Sequence, residues 1–230
     1  MNTALNGSPA AHVAIVTGGS RGVGRAAILM LAARGYAVVV NYLHDRRAAE
    51  SAVEAILGGN NEAVTIRADV ADELDVQRLF AETIAVFGGV DVVVHTLGSP
   101  VTATPVADFD LDLFDALVRI NTRAAFIVNR EAVRRLRNSG AIVNLTSSAD
   151  DSSLPAYGLY IAAKAATEVL TRALALELRE RDITVNAVSL EADMPCAPNR
   201  VADVVAYLLT DRGHRLTGHV LRVGDPGHAP

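Results

Sequence analysis

Tyr160 and Lys164 stand four residues apart in "YGLYIAAKAA", residues 157–166, a stretch otherwise small and apolar. On a helix this spacing stacks a phenol and an ammonium on one face. A free phenol titrates near ~10 and trades protons reluctantly at neutral pH. An ammonium one turn away stabilises the phenolate and makes the group a usable acid or base. The plain alternative is a surface Tyr beside a snorkelling Lys.

A second stretch bears on that choice. "TGGSRGVG", Thr17 to Gly24, follows an apolar run and leads into a helical one, with Gly18, Gly22 and Gly24 in the pattern G-x-x-x-G-x-G. Glycine lets the backbone bend tightly and lets a phosphate come close to it. The helix that follows offers free N–H groups and a positive dipole end to a pyrophosphate. A Gly-rich turn between the first strand and first helix of a βαβ unit is the context dinucleotide binding requires. Gly18, Ser20, Arg21, Gly22 and Val23 are therefore the expected cradle.

The end of the second apolar run should then choose the nucleotide. An Asp or Glu there would hold the ribose 2′-OH of NAD. The chain has Asn41 and Tyr42 instead, followed by His44, Asp45, Arg46 and Arg47. Together with Arg21, these cations suit a 2′-phosphate, which guanidinium binds in a forked, charge-assisted way. Asp45 is close enough to reach the same ribose, and Arg46 and Arg47 could equally be solvated first-turn residues. NADP(H) is the expected cofactor, with NAD(H) as the alternative.

Elements must hold these groups in place. Strand-like runs occur at 12–17, 37–42, 63–68, 90–96, 141–146, 183–188 and 219–223. Segments of helical period lie between them at 23–34, 46–57, 72–87, 109–137, 156–180 and about 200–210. Such alternation implies an α/β fold, with a seven-stranded parallel sheet and helices on both faces. No linker or repeat interrupts it, so residues 1–230 read as one doubly wound domain, with loose ends at 1–10 and 225–230.

Composition narrows the function. Half of the 230 residues are hydrophobic and Trp is absent, so Ala, Val, Leu and Ile must fill the core. The formal charge is −5 with scattered Arg, which argues against nucleic-acid partners. One cysteine, Cys196, allows no internal disulfide and no Cys cluster, and no metal is expected. The first residues, "MNTALNGSPAAH", show no secretion signal, and no apolar run approaches the ~18 residues of a membrane span. A cytoplasmic protein without a membrane partner is the expectation.

These motifs together resemble the short-chain dehydrogenase/reductase family, and within it the 3-oxoacyl-carrier-protein-reductase-like members. The likeness runs from about residue 11 to 224, through "TGGSRGVG", "ADV" (68–70), "INT" (120–122), "IVNLTSS" (142–148) and "YIAAK" (160–164). It implies a Rossmann-like fold and a reductase of C=O groups. Tyr160 would be the acid/base and Lys164 the group that tunes it, both also touching the cofactor. Ser147, thirteen residues before Tyr160, would donate to the substrate carbonyl, with Ser148 as the neighbouring fallback. Asn121 would hold a water of the proton relay. Asp69 and Val70 match the positions that flank the adenine.

The pattern also breaks. Where the family shows "NNAG" the chain has "HTLG", residues 95–98. Thr96 still offers a hydroxyl and Gly98 is kept, but Leu97 is bulkier near the expected ribose. His95, at a strand end, reads as structural. Leu190 and Glu191 replace Pro-Gly after the sixth strand, and "MPCAPN" leaves most of the substrate lid missing. Glu191 would repel the cofactor phosphates or turn outward. An open pocket suits a small-molecule or carrier-bound carbonyl substrate that covers the site itself, such as a 3-oxoacyl thioester or a polycyclic ketone. The leading reading is an NADP(H)-dependent carbonyl reductase or alcohol dehydrogenase. The other is a dinucleotide-binding sensor or scaffold with weak or lost catalysis. Relatives join through their long helices, so a homotetramer or homodimer is expected.

Overall fold

Val- and Ala-rich runs form seven strands: β1 (Val13–Thr17), β2 (Ala37–Tyr42), β3 (Ala63–Arg67), β4 (Val92–His95), β5 (Ala141–Ser148), β6 (Thr184–Glu191) and β7 (Val220–Val223). The computed structural model describes residues 12–57, 61–96, 98, 103–148, 156–191 and 198–224. The helices are α1 (Gly22–Ala33), α2 (Arg46–Leu57), α3 (Glu73–Phe87), α4 (Leu111–Val118), α5 (Ala124–Arg135), α6 (Gly158–Glu177) and α7 (Pro198–Leu208). Every strand pairing is parallel, in the order β3-β2-β1-β4-β5-β6-β7. The order reverses between β1 and β4, and a crevice for ligands opens at such a switch point.

Side chains alternate between the two faces of each strand. Ile15, Val93, Ile142 and Val185 join a core with residues of α3, α5 and α6. Ala14, Val16, Val94 and Val143 face the other way, onto α1, α2 and α7. Both faces are covered, which is why the strands read as continuous apolar runs.

Two departures from the periodicity matter for the site. The segment expected as one helix over 109–137 is broken by a π-helical turn at Arg119–Arg123 between α4 and α5. Such single-turn insertions re-aim side chains and occur often at functional sites. Both β5 and β6 also run past their expected ends, and Ser147 pairs with Leu190 and Ser148 with Glu191. A Pro would lack the N–H that a ladder needs. Leu190 and Glu191 supply it, and β6 continues to the rim of the crevice. The expectations for residues 1–10, 225–230, Leu97, Cys196 and the missing lid (192–197) lie outside the described residues, as do the side chains of Ser148 and Glu191.

Candidate active site

The switch-point crevice is a cleft of about 500 Å³. The glycine turn after β1 forms one wall, through Gly18, Arg21, Val23 and Gly24. Thr96 and Gly98 after β4, the ends of β5 and β6, and Tyr160 and Lys164 from α6 complete it. Gly18 has φ +64°, a left-handed conformation that glycine adopts without strain. Gly24 packs so tightly that a Cβ would strike the Gly18 carbonyl, which fixes α1 against the turn. Arg21 precedes α1 without a capping side chain, and the first turn of α1 holds no acidic residue. The first N–H groups of α1 are thus left for an anion.

At the other end of the cleft, Ser147 Oγ lies 3.1 Å from Tyr160 Oη. Lys164 Nζ lies 6.0 Å from the centre of the Tyr160 ring. Tyr160 and Lys164 are both buried, although each lines the cleft. Burial pushes the Lys164 ammonium down from its ordinary value to about 8. Asn121 occupies the π-helical turn, 1% exposed, and donates from Nδ2 to the Leu117 carbonyl at 3.1 Å. Its Oδ1 finds no hydrogen-bond donor among the described residues. A Cβ on Gly98 would collide with the end of Lys164 and come 3.0 Å from that same Oδ1. Gly98 therefore lets Lys164 and Asn121 approach each other. The four expected chemical groups, Asn121, Ser147, Tyr160 and Lys164, gather at one end of the crevice.

His95 is buried, with Nδ1 2.9 Å from Thr17 Oγ1. Burial, helped by the Lys164 charge, pushes its pKa down to about 3, so the ring is neutral. Leu145, Thr146 and Leu190 also line the cleft. Leu190 stands where the resemblance expects the Pro of Pro-Gly, whereas the sequence reading does not single out Leu145 and Thr146. The signal for them was their place at the C-terminal end of β5, where such sheets put their sites.

Several residues expected at the cofactor are engaged elsewhere. Asn41 is fully buried, and its amide donates to the Ala68 carbonyl at 3.0 Å and the Ile66 carbonyl at 3.4 Å, so it ties β2 to β3. Val70 is 2% exposed and packs in the core with Val76 and Leu79. Arg46 pairs with Glu50 one turn on, at 2.7 Å. Asp69 holds Arg119 at 2.7 Å and accepts from the Ala71 N–H. Its carboxyl stays below the usual carboxylate range because those hydrogen bonds and the Arg119 charge outweigh burial, the largest single influence. Ser20, Gly22, Tyr42 and His44 lie outside the cleft lining, His44 and Gly22 being exposed. Asp45 caps α2 by accepting from the Ala48 N–H and pairs with Arg21. These two contacts, the cap first, lower its pKa. Arg21 is thus a cation at the mouth of the cleft whose partner is a replaceable surface carboxylate.

Comparison with known proteins agrees with this geometry. The profile of a family described as Enoyl-(Acyl carrier protein) reductase matches residues 18–192. Versicolorin reductase 1 of Aspergillus parasiticus is 40% identical over 193 residues, 82% of this chain and 73% of that protein. A hydroxynaphthalene reductase-like protein, Arp2 of Metarhizium majus, is 39% identical over 79% of this chain and 68% of its own length. Among solved structures, a short-chain dehydrogenase from Burkholderia cenocepacia in complex with NADP superposes with a TM-score of 0.83, at 31% identity over 92% of this chain and 96% of that one. A short-chain dehydrogenase/reductase from Serratia marcescens gives a TM-score of 0.86, at 28% identity over 94% and 98%.

Proposed function

The chain belongs to the short-chain dehydrogenase/reductase family, and from that premise we propose that it is an NADP(H)-dependent carbonyl reductase, or alcohol dehydrogenase in the reverse direction. The observation that carries the reading is the Ser147–Tyr160 hydroxyl pair at 3.1 Å, open to the same cleft as the glycine turn and beside a buried ammonium. The residues fit a dinucleotide. The uncapped start of α1 and the turn from Gly18 to Gly24 would take the pyrophosphate. Arg21, with His44 and Arg47 nearby, would meet the 2′-phosphate. Thr96, Gly98 and Lys164 would border the ribose at the reacting end. NADP bound to the Burkholderia relative favours the phosphorylated cofactor.

The bound cofactor supplies or takes up a hydride. Ser147 Oγ–H donates to the substrate carbonyl oxygen, where negative charge develops. Tyr160 Oη–H gives that oxygen its proton and completes the alcohol. Lys164, held positive below pH about 8, stabilises the phenolate left behind. Asn121 Oδ1 is a buried acceptor with no donor among the described residues, fit to hold a water from which the proton is restored.

Leu145 and Leu190 give the cleft apolar walls, which suits a bulky ketone or an acyl chain. The hydroxynaphthalene reductase-like relative places fused aromatic rings first among the compounds to try. The reading takes residues 1–230 as one cytoplasmic domain. It joins copies over the exposed apolar side chains Phe126 of α5 and Val169 of α6, as dimers or tetramers. The test is a titration with NADPH and with NADH, following nicotinamide fluorescence. Tight NADPH binding and weaker NADH binding are expected, and binding of neither would overturn the reading.

A further inference from the structure

His95 takes a place in a buried polar layer that the mechanism above leaves unused. In the sheet register Thr17 lies beside His95, and His95 beside Asn144. Neighbours in register point to the same face. On that face the Asn144 amide meets Asn129 of α5 and Thr171 of α6. The His95 ring therefore lies under the helices that place Asn121, one turn before α5, and Lys164, in α6. Three residues beyond His95, the end of Lys164 and Asn121 Oδ1 both lie where a Cβ on Gly98 would stand.

The hydrogen bonds choose the tautomer. Thr17 Oγ1 accepts the Thr96 N–H at 3.2 Å and lies 2.9 Å from His95 Nδ1. Thr17 is fully buried, so its hydroxyl hydrogen needs an acceptor, and among the described residues that acceptor is His95 Nδ1. The ring proton is left on Nε2. Among the described residues Nε2 is then a donor without an acceptor, in a residue 1% exposed. Asn121 Oδ1 is the converse, an acceptor without a donor among the described residues, also in a residue 1% exposed. An unmet donor and an unmet acceptor at full burial are each unfavourable, and a buried water is the kind of partner that each lacks.

We infer that His95 is a positioning residue: as the neutral Nε2–H tautomer it anchors a buried water that it shares with Asn121 Oδ1 beside the Lys164 ammonium. The inference rests on the roles proposed above for Asn121 and Lys164, and adds an imidazole at the end of β4. A neutral donor on the water turns its lone pair to the ring and its hydrogen to Asn121, and so sets the orientation from which a proton moves on. The ring stays neutral throughout the working range, as its burial and the nearby Lys164 charge require.

Imidazole 15N NMR on the whole chain tests this without any turnover. His95 should show a protonated Nε2 and an accepting Nδ1, no titration between pH ~5 and ~9, and a cross-peak from Nε2–H to water. In Asn121→Ala the Nε2–H signal should move and exchange faster. A protonated Nδ1, an Nε2–H without a water contact, or a signal indifferent to Asn121→Ala would overturn the inference and leave His95 as packing for Thr17. In kinetics, His95→Phe should lower kcat roughly tenfold, the loss of about one hydrogen bond, with KM and the NADPH Kd unchanged. A wild-type chain inactive on every ketone would sink the proposed reductase and leave the NMR result standing.

Discussion

Gly98→Ala probes the meeting of β4, α6 and the π-helical turn at a single atom. An ideal Cβ there would stand 2.8 Å from Lys164 Cε, with Nζ closer still, whereas ordinary contact begins at 3.4 Å. Cε would have to withdraw by at least 0.6 Å, the difference between those values. Asn121 Oδ1, 3.0 Å from the new atom, blocks retreat on its side. Overfilling a packed site destabilises by about 1–3 kcal/mol. A catalytic group displaced by about 1 Å loses up to roughly 100-fold in rate. We expect kcat to fall between tenfold and 100-fold, with a lower melting temperature and NADPH still bound. Gly158→Ala is the control: a Cβ there meets nothing within 4 Å, and its φ is not positive. That variant should keep its activity and lose no stability. Steady-state kinetics and calorimetry on both variants read the outcome. If Gly98→Ala kept wild-type kcat and stability, Gly98 could not be the point of closest approach to Lys164.

Other substitutions separate the parts. Lys164 keeps a buried charge that costs stability in full below pH about 8, its folded value, and less and less as pH rises to the ordinary 10.5. Lys164→Met should therefore raise the melting temperature at pH 7 while abolishing turnover, and the gain should fade in that alkaline window. Arg21→Ala should weaken NADPH binding roughly tenfold to 100-fold, as loss of charged hydrogen bonds predicts, and NADH binding hardly at all. Asp45→Asn keeps an oxygen to cap α2 but releases Arg21, so NADPH should bind a few-fold more tightly, the scale of an exposed pair. Equal effects on both nucleotides would remove Arg21 from the 2′-phosphate.

The sequence held the architecture because strands covered on both faces must be apolar throughout, as Val38, Val39 and Val40 are. It held Tyr160 and Lys164 because a helix makes four-residue spacing a contact. The 3.1 Å approach of Ser147 to Tyr160 came from family order, since thirteen residues of chain dictate no distance. The π-helical turn was hidden because one inserted residue barely disturbs an apolar period, although Asn121 stood within it. The side chains of Asn41, Val70 and Arg46 are engaged away from the crevice for a common reason. Position along the chain says which strand end a residue occupies, and only packing says whether its side chain faces the crevice, the core or its own helix. Likewise, the run of β6 to Glu191 depends on β5, whose partner residues lie about forty positions earlier in the chain but beside it in the sheet.

The most direct test of the central claim is NADPH consumption with a fused-ring ketone, measured side by side for the wild type and Tyr160→Phe. The account predicts one alcohol formed per NADPH oxidised by the wild type. It predicts a loss of at least roughly 100-fold in Tyr160→Phe, the scale of general acid catalysis, with NADPH binding intact. Undiminished turnover by the Phe variant would contradict it.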